Sequence, residues 1–320
     1  MKLRVSPILF LLFLGASVSS SFTVKTTNNN LQHKIVTKSR FNPLFVATSF
    51  NPPDTRNTYS ISEDACAEAA SLMKQVDVQV SETISETGTA GISYIHWPAE
   101  KKTNTLPLLL VHGFDSSCLE FRRLGPKLAA LGISVYAVDL LGWGFTQLDG
   151  VDDFSADAKI EALKNFWKTV GNNDPVCVGG ASLGGASAIE FASDPLSPAE
   201  AAIMIDAQGF TDGIGPPSLL PPFLARLGVK VLKSEGLRDS ANQMSYFDKE
   251  TFATNDALKT GRIHCLREGW EDAQLNFIKS GGFYPSEKVK KVTQKTLVLW
   301  GRNDEILDRE KYATQVRYVV

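Results

Sequence analysis

Val176-Cys177-Val178-Gly179-Gly180-Ala181-Ser182-Leu183-Gly184-Gly185 is the stretch on which the reading of this chain turns. A short apolar run, of the kind that forms a buried strand, ends in Gly180-Ala181-Ser182-Leu183-Gly184, and a helix-compatible run, Ala186 to Ala192, follows at once. G-x-S-x-G between a strand and a helix is the nucleophile-elbow pattern. So tight a turn forces the serine to a positive φ and leaves room only for small residues two places before and after it. It also sets the hydroxyl on the N-terminus of the next helix, whose dipole and free N–H groups favour a developing oxyanion. The same string suits a glycine-rich turn whose serine merely caps a helix, so the rest of the chain has to separate the two.

Upstream, Ala65 to Met73 reads as a short helix, and Val76 to Val80 and Gly91 to Trp97 as strands of a hairpin around Thr87-Gly88-Thr89. Leu106 to Val111 is a continuous apolar run ending at His112-Gly113-Phe114, as expected of a parallel strand covered on both faces. Leu119 to Leu131 reads as helix and Ile133 to Val138 as the next buried strand, ending at Asp139; Ser155 to Val170 puts Ile160, Leu163, Phe166, Trp167 and Val170 on one helical face. Downstream, Ala201 to Ile205 ends at Asp206, and Lys295 to Trp300 leads into Gly301-Arg302-Asn303-Asp304. This alternation predicts an α/β fold with an open, mainly parallel, doubly wound sheet. Chemistry in such sheets sits at the carboxyl ends of the strands. His112-Gly113-Phe114, Ser182 and Asp304 all follow strands directly, which the capping alternative does not predict.

Residues 208–290 interrupt the alternation. Proline pairs break the chain, then Phe223 to Leu232 and Glu268 to Ile278 read as helices. A helical insertion over the carboxyl edge is expected to act as a lid, with Phe223, Leu227, Trp270 and Phe277 lining an apolar substrate cavity.

With 320 residues there is ample material for a core in one large α/β domain or two small ones. A net charge of −2 without a basic stripe gives no support to nucleic-acid binding. Four scattered cysteines, with no C-x-x-C pair, suggest neither a zinc site nor a disulfide framework. No metal or organic cofactor is expected, the partner being a small-molecule substrate. The N-terminus differs in kind: Met1 to Pro53 carries Lys2, Arg4, Lys25, Lys34, Lys38 and Arg40 and no acidic residue. The apolar run Pro7 to Leu14 is of signal-peptide length and too short to span a bilayer. The expected organisation is a signal peptide (1–21), a transit-like disordered segment (22–55) and an α/β domain (65–320) with the insertion inside it.

These landmarks together resemble the α/β-hydrolase fold family. The resemblance rests on His112-Gly113-Phe114, Asp139-x-x-Gly142-x-Gly144, the Ser182 elbow and Leu297-Val298-Leu299-Trp300-Gly301-Arg302-Asn303-Asp304, and covers about residues 90–308. It implies Ser182 as nucleophile, Asp304 as the acid that orients a histidine, and the N–H groups of Phe114 and Leu183 as an oxyanion hole. Gly180 and Gly184 are then the elbow glycines. His112, Gly113, Asp139, Gly142 and Gly144 match structural motif positions. Serine, where some branches have aspartate, implies acyl transfer on an ester-like bond. The strings 112–120 and 261–265 look like those of plastid hydrolase-like proteins of plants and algae. The leader resembles the bipartite plastid leader of diatoms and related algae, a secretory signal being the alternative.

A serine hydroxyl is a poor nucleophile until an imidazole takes its proton, and the expected order is Ser, Asp, His. No histidine stands between Asp304 and Val320. His33 lies in the leader, His96 in an early strand and His264 in the insertion. Three expectations stay open: a fragment of a complete hydrolase, a non-catalytic small-molecule binder on the same fold, or a displaced base such as His264.

Overall fold

One seven-stranded sheet runs through the molecule in a computed structural model that describes residues 50–307 and Tyr312. The signal-like segment (1–21) and the transit-like segment (22–55) as far as residue 49 lie outside the described residues. The strands are β1 (Met73–Gln79), β2 (Thr89–Trp97), β3 (Leu108–Val111), β4 (Val135–Val138), β5 (Val176–Ala181), β6 (Ala199–Ile205) and β7 (Lys295–Leu299), in the spatial order β1-β2-β4-β3-β5-β6-β7. β1 and β2 pair antiparallel, as do β2 and β4, and the rest of the sheet is parallel.

Side chains alternate across a strand, and the core divides accordingly. Leu109 and Val111 join one buried cluster, Leu108 and Leu110 another. That two-sided burial is why β3 and β5 read as unbroken apolar runs rather than alternating ones. Helices α1 (Asp64–Ser71), α2 (Gly125–Ala130), α3 (Ala156–Val170) and α4 (Leu183–Ala192) flank the sheet. Ser155 caps α3 by accepting from Ala158 N, and Ile160, Leu163, Phe166 and Trp167 are buried on its inner face. α4, which carries Ser182 at its N-cap, is buried at all ten positions; an apolar helix of that kind belongs inside a core.

Three expectations need correction. Leu119 to Leu131 is not one helix but a 3-10 turn, Cys118–Phe121, followed by α2. Pro126 lacks an N–H and restarts the helix at its first turn, while a side chain on Gly125 would come within 2.3 Å of the Trp97 ring. Next, the folded unit starts before residue 55, since Thr55 is 3% and Ile61 1% exposed. Finally, the insertion holds five helices rather than two: α5 (Pro222–Leu232), α6 (Glu235–Ser245), α7 (Lys249–Phe252), α8 (Asn255–Arg262) and α9 (Trp270–Lys279). α6 buries Leu237 alone and α7 nothing, so their apolar stripe is too thin to show as a periodicity. Among the described residues no helix is long and apolar enough to cross a membrane.

Candidate active site

Ser182 sits between β5 and α4 with φ +51 and ψ −118, in the left-handed half of backbone space. The turn is held by the Ser182 N–H donating to Ile205 O (2.9 Å) and by its carbonyl accepting from Gly185 N and Gln208 N, both at 2.9 Å. Its side chain makes no helix-capping bond. The glycines on either side are required by contact. A Cβ at Gly180 would lie 2.0 Å from Gly184 O, and one at Gly184 only 2.2 Å from Val111 O. This closeness is what brings the elbow against the end of β3.

The loop after β3 is braced from below. His112 is fully buried; its Nδ1 lies 2.8 Å from Gly113 O, and its Nε2 accepts from Leu140 N at 3.1 Å. An Nε2 that accepts carries no proton, so Nδ1 bears it. Burial pushes the His112 pKa down to about 4, with the Asp139 charge opposing. The ring is thus a neutral strut whose two nitrogens are both occupied. Asp139, also buried, accepts from Cys118 N (2.5 Å), Ser93 Oγ (2.5 Å) and Phe145 N (2.9 Å). A Cβ at Gly144 would strike that carboxyl at 2.1 Å, and Gly142 takes φ +85 to turn the loop. These residues hold the loop and line neither cavity described next.

Two adjoining cavities, about 330 and 450 Å³, meet at Ser182. The first contains Gly113 and Phe114; a Cβ at Gly113 would be 3.6 Å from Ser182 Cβ. No acceptor among the described residues takes the N–H of Phe114 or Leu183. The second contains Asp304, whose Oδ1 accepts from Ile306 N (2.7 Å) and Leu307 N (2.9 Å). Ser182, Phe114 and Asp304 are therefore brought to one edge, as their places after strands imply.

Two further carboxylates share that edge. Asp206, after β6, has φ +43, accepts from Gly301 N at 2.6 Å and faces the second cavity. Burial raises its pKa, and the neighbouring Asp304 charge adds to the rise. Glu120 lines both cavities and accepts from Gly113 N at 3.2 Å. It is wetted by the cavity yet ringed by protein, and that confinement raises its pKa. Asp206 was legible as a strand-end acid in line with Ser182 and Asp304, whereas nothing in the string around Glu120 marks it.

The insertion contributes otherwise than its composition suggests. Phe223 and Leu227 are 71% and 60% exposed, while Trp270 and Phe277 are buried in the core. None of the four lines either cavity. The walls come from α6 and α8, with Leu237, Asn242, Tyr246 and Leu258 among the residues facing the first cavity. His264 is fully buried with Nε2 at 3.0 Å from Asp115 Oδ1, and it too is absent from both walls. His96 stacks on Tyr136 and bonds to Ser134.

A parallel sheet with a serine on a strained strand–helix turn, a buried His-Gly loop beside it and an acid after the last described strand is the architecture of an alpha/beta hydrolase. The chain belongs to that family, whose pattern matches residues 108–320. It is 36% identical over 204 residues (64% of this chain, 62% of the relative) to alpha/beta hydrolase domain-containing protein VTE7 of Arabidopsis thaliana. To Lipase 1 of Psychrobacter immobilis the identity is 26% over 208 residues, 64% of each chain. It thus spans under two thirds of the length of these relatives. In structure it resembles a thermophilic esterase from Thermogutta terrifontis, with a TM-score of 0.57 and 20% identity over 77% of this chain and 86% of that one, a likeness of fold.

Proposed function

We propose that this alpha/beta hydrolase cleaves an ester-like bond through an acyl-enzyme at Ser182. The observation that carries the reading is Ser182 itself. It is held at φ +51 where two cavities meet, beside two backbone N–H groups with no acceptor among the described residues. Strain of this kind costs about 1–3 kcal/mol and persists where it serves a site. Ser182 Oγ attacks the acyl carbon as its proton passes to a base, and the carbonyl oxygen becomes an oxyanion facing the N–H groups of Phe114 and Leu183. The leaving alcohol takes the proton, and water then releases the acid. Asp304 is the group that would orient an imidazole base. The walls suit an amphiphilic ester: Leu232, Leu237, Leu258 and Ile306 offer apolar surface, while Glu120, Asn242, Ser245 and Tyr246 offer hydrogen bonds. The lipase and esterase names among its relatives agree with this substrate class.

The test uses the protein expressed from its full transcript. Fluorophosphonate labelling at Ser182, with Ser182→Ala losing label and at least about three powers of ten in ester turnover, is the expected result. Undiminished turnover in that variant rules the mechanism out. One observation favours a second reading, a small-molecule binder: among the described residues no imidazole lines either cavity. Ligand binding that survives Ser182→Ala, in a protein that never takes up label, supports it.

A further inference from the structure

Asp115 directly follows Phe114 and is 2% exposed, with φ +48. Its carboxylate is surrounded by donors. Arg238 Nη2 is ion-paired with Oδ2, and Trp270 Nε1 donates to Oδ1 at 2.9 Å. His264 Nε2 stands 3.0 Å from the same Oδ1. The carboxylate only accepts, so Nε2 is the protonated nitrogen, and Nδ1 is left buried without a partner. Arg238 Nη1 also donates to the Asp115 carbonyl at 2.9 Å. The guanidinium is completed by Leu232 O (2.9 Å), Gly261 O (3.3 Å) and Cys265 Sγ (2.8 Å). Burial alone would raise the Asp115 pKa, but the Arg238 charge and the bonds from His264 and Trp270 outweigh it, down to about 2. Asp115, His264 and Cys265 lie close enough to hold a metal ion, yet the guanidinium already sits on two of their ligand atoms. The cation of this cluster is Arg238.

All the side-chain donors to Asp115 among the described residues come from the insertion: Arg238 from α6, His264 and Cys265 from the turn after α8, Trp270 from α9. The strained Asp115 is thus held from the insertion, while His112 braces the preceding Gly113 from below. We infer that Arg238 and Asp115 are positioning residues: docking of the insertion through this ion pair, with His112 holding Gly113 from below, sets the Phe114 N–H toward the oxyanion. The inference rests on Ser182 acting as the nucleophile. Phe114 itself sets its ring edge-on to Trp143 at 5.5 Å and tilted to Phe277 at 6.3 Å. Those contacts orient the ring; the peptide that carries the Phe114 N–H is gripped at its Gly113 carbonyl by His112 and, one residue further on, by the bond from Arg238 to the Asp115 carbonyl.

The experiment compares Arg238→Met, Arg238→Lys and Asp115→Asn in the full-length protein, with Arg226→Gln as control. Arg226 forms an exposed pair with Asp272 elsewhere in the insertion. Steady-state kinetics on an ester and the rate of fluorophosphonate labelling are both read. A displaced oxyanion donor acts only in the transition state, so kcat should fall about 100-fold in Arg238→Met, with KM within about threefold. Labelling should slow in parallel, Arg238→Lys should recover part of the loss, and Arg226→Gln should match wild type. Should Arg238→Met fail to fold, the isosteric Asp115→Asn carries the same expectation. A rise in KM with kcat unchanged means that Arg238 merely holds the cavity wall, and overturns the inference while sparing the hydrolase reading. A wild-type protein that takes no label at Ser182 overturns both.

Discussion

Gly184 shows how little latitude the elbow leaves. The atom that an alanine would add there falls 2.2 Å from Val111 O and 2.5 Å from His112 O. Neither is a flexible side-chain end, so relief requires β3 or α4 to move. Gly184→Ala should therefore lower stability by more than about 3 kcal/mol, at the severe end of overpacking, and abolish labelling of Ser182. Gly236, on α6, is the contrast: nothing lies within 4 Å of the atom an alanine would add. Gly236→Ala should raise stability by roughly 0.5–1 kcal/mol, since only the unfolded chain loses freedom. Thermal melts of the two variants check both, and equal effects would refute the contact argument. The neutral His112 strut belongs to this scale as well, because one ring joins the loops after β3 and β4.

Among the elements, α6 matters most beyond the sheet. It supplies Leu237, Asn242 and Arg238 to the first cavity, yet Leu237 is its single buried apolar side chain. Deleting that side chain removes the helix's only core contact and leaves a void. Leu237→Ala should cost about 2–3 kcal/mol and make residues 233–262 the first to be cut in limited proteolysis. If cleavage begins in the sheet instead, α6 is held by its polar bonds alone. How much of the insertion was legible follows from the same fact. α5 and α9 bury several apolar residues each and could be read from spacing; α6 to α8 are polar, and their positions are decided by long-range bonds such as Ser62 to Asp256. The aromatic content of the insertion was a poor guide to the cavity for a related reason. Trp270 and Phe277 were free to enter the core, and the cavity took its walls from other helices.

For the whole molecule, a charge buried between the sheet-flanking α3 and the insertion couples stability to pH. Lys159 is fully buried, its Nζ bonded to Leu141 O and lying 4.0 Å from the Trp143 ring centre and 4.9 Å from that of Phe277. Burial lowers its pKa to about 7, the charges of Asp115 and Asp153 opposing, whereas an unfolded lysine titrates near 10.4. Between about pH 7 and 10 the unfolded chain holds a proton that the folded protein has released. Stability therefore rises with pH across that window, and below pH 7 the folded state carries the full cost of a buried charge. Lys159→Met should flatten the rise, the two slopes differing by at most about 1.4 kcal/mol per pH unit. Urea midpoints at pH 7.5 and 9.5 test this, and parallel slopes would show that Lys159 stays charged inside.

The amino-acid sequence by itself determined the class of fold and the serine turn, because both are local. Short apolar runs of four to six residues that alternate with helices suit strands covered on both faces, and a serine between glycines after such a run has few conformations open to it. Strand ends likewise announced Phe114, Ser182 and Asp304, since a parallel sheet aligns its carboxyl edges whatever the loops do. Tertiary structure alone decided what surrounds that edge. Asp115 and Arg238 are 123 residues apart, and Glu120 meets Gly113 through a turn that no periodicity marks. An ion pair between distant elements leaves no trace in the spacing of either one, because its partners are chosen by how the insertion docks.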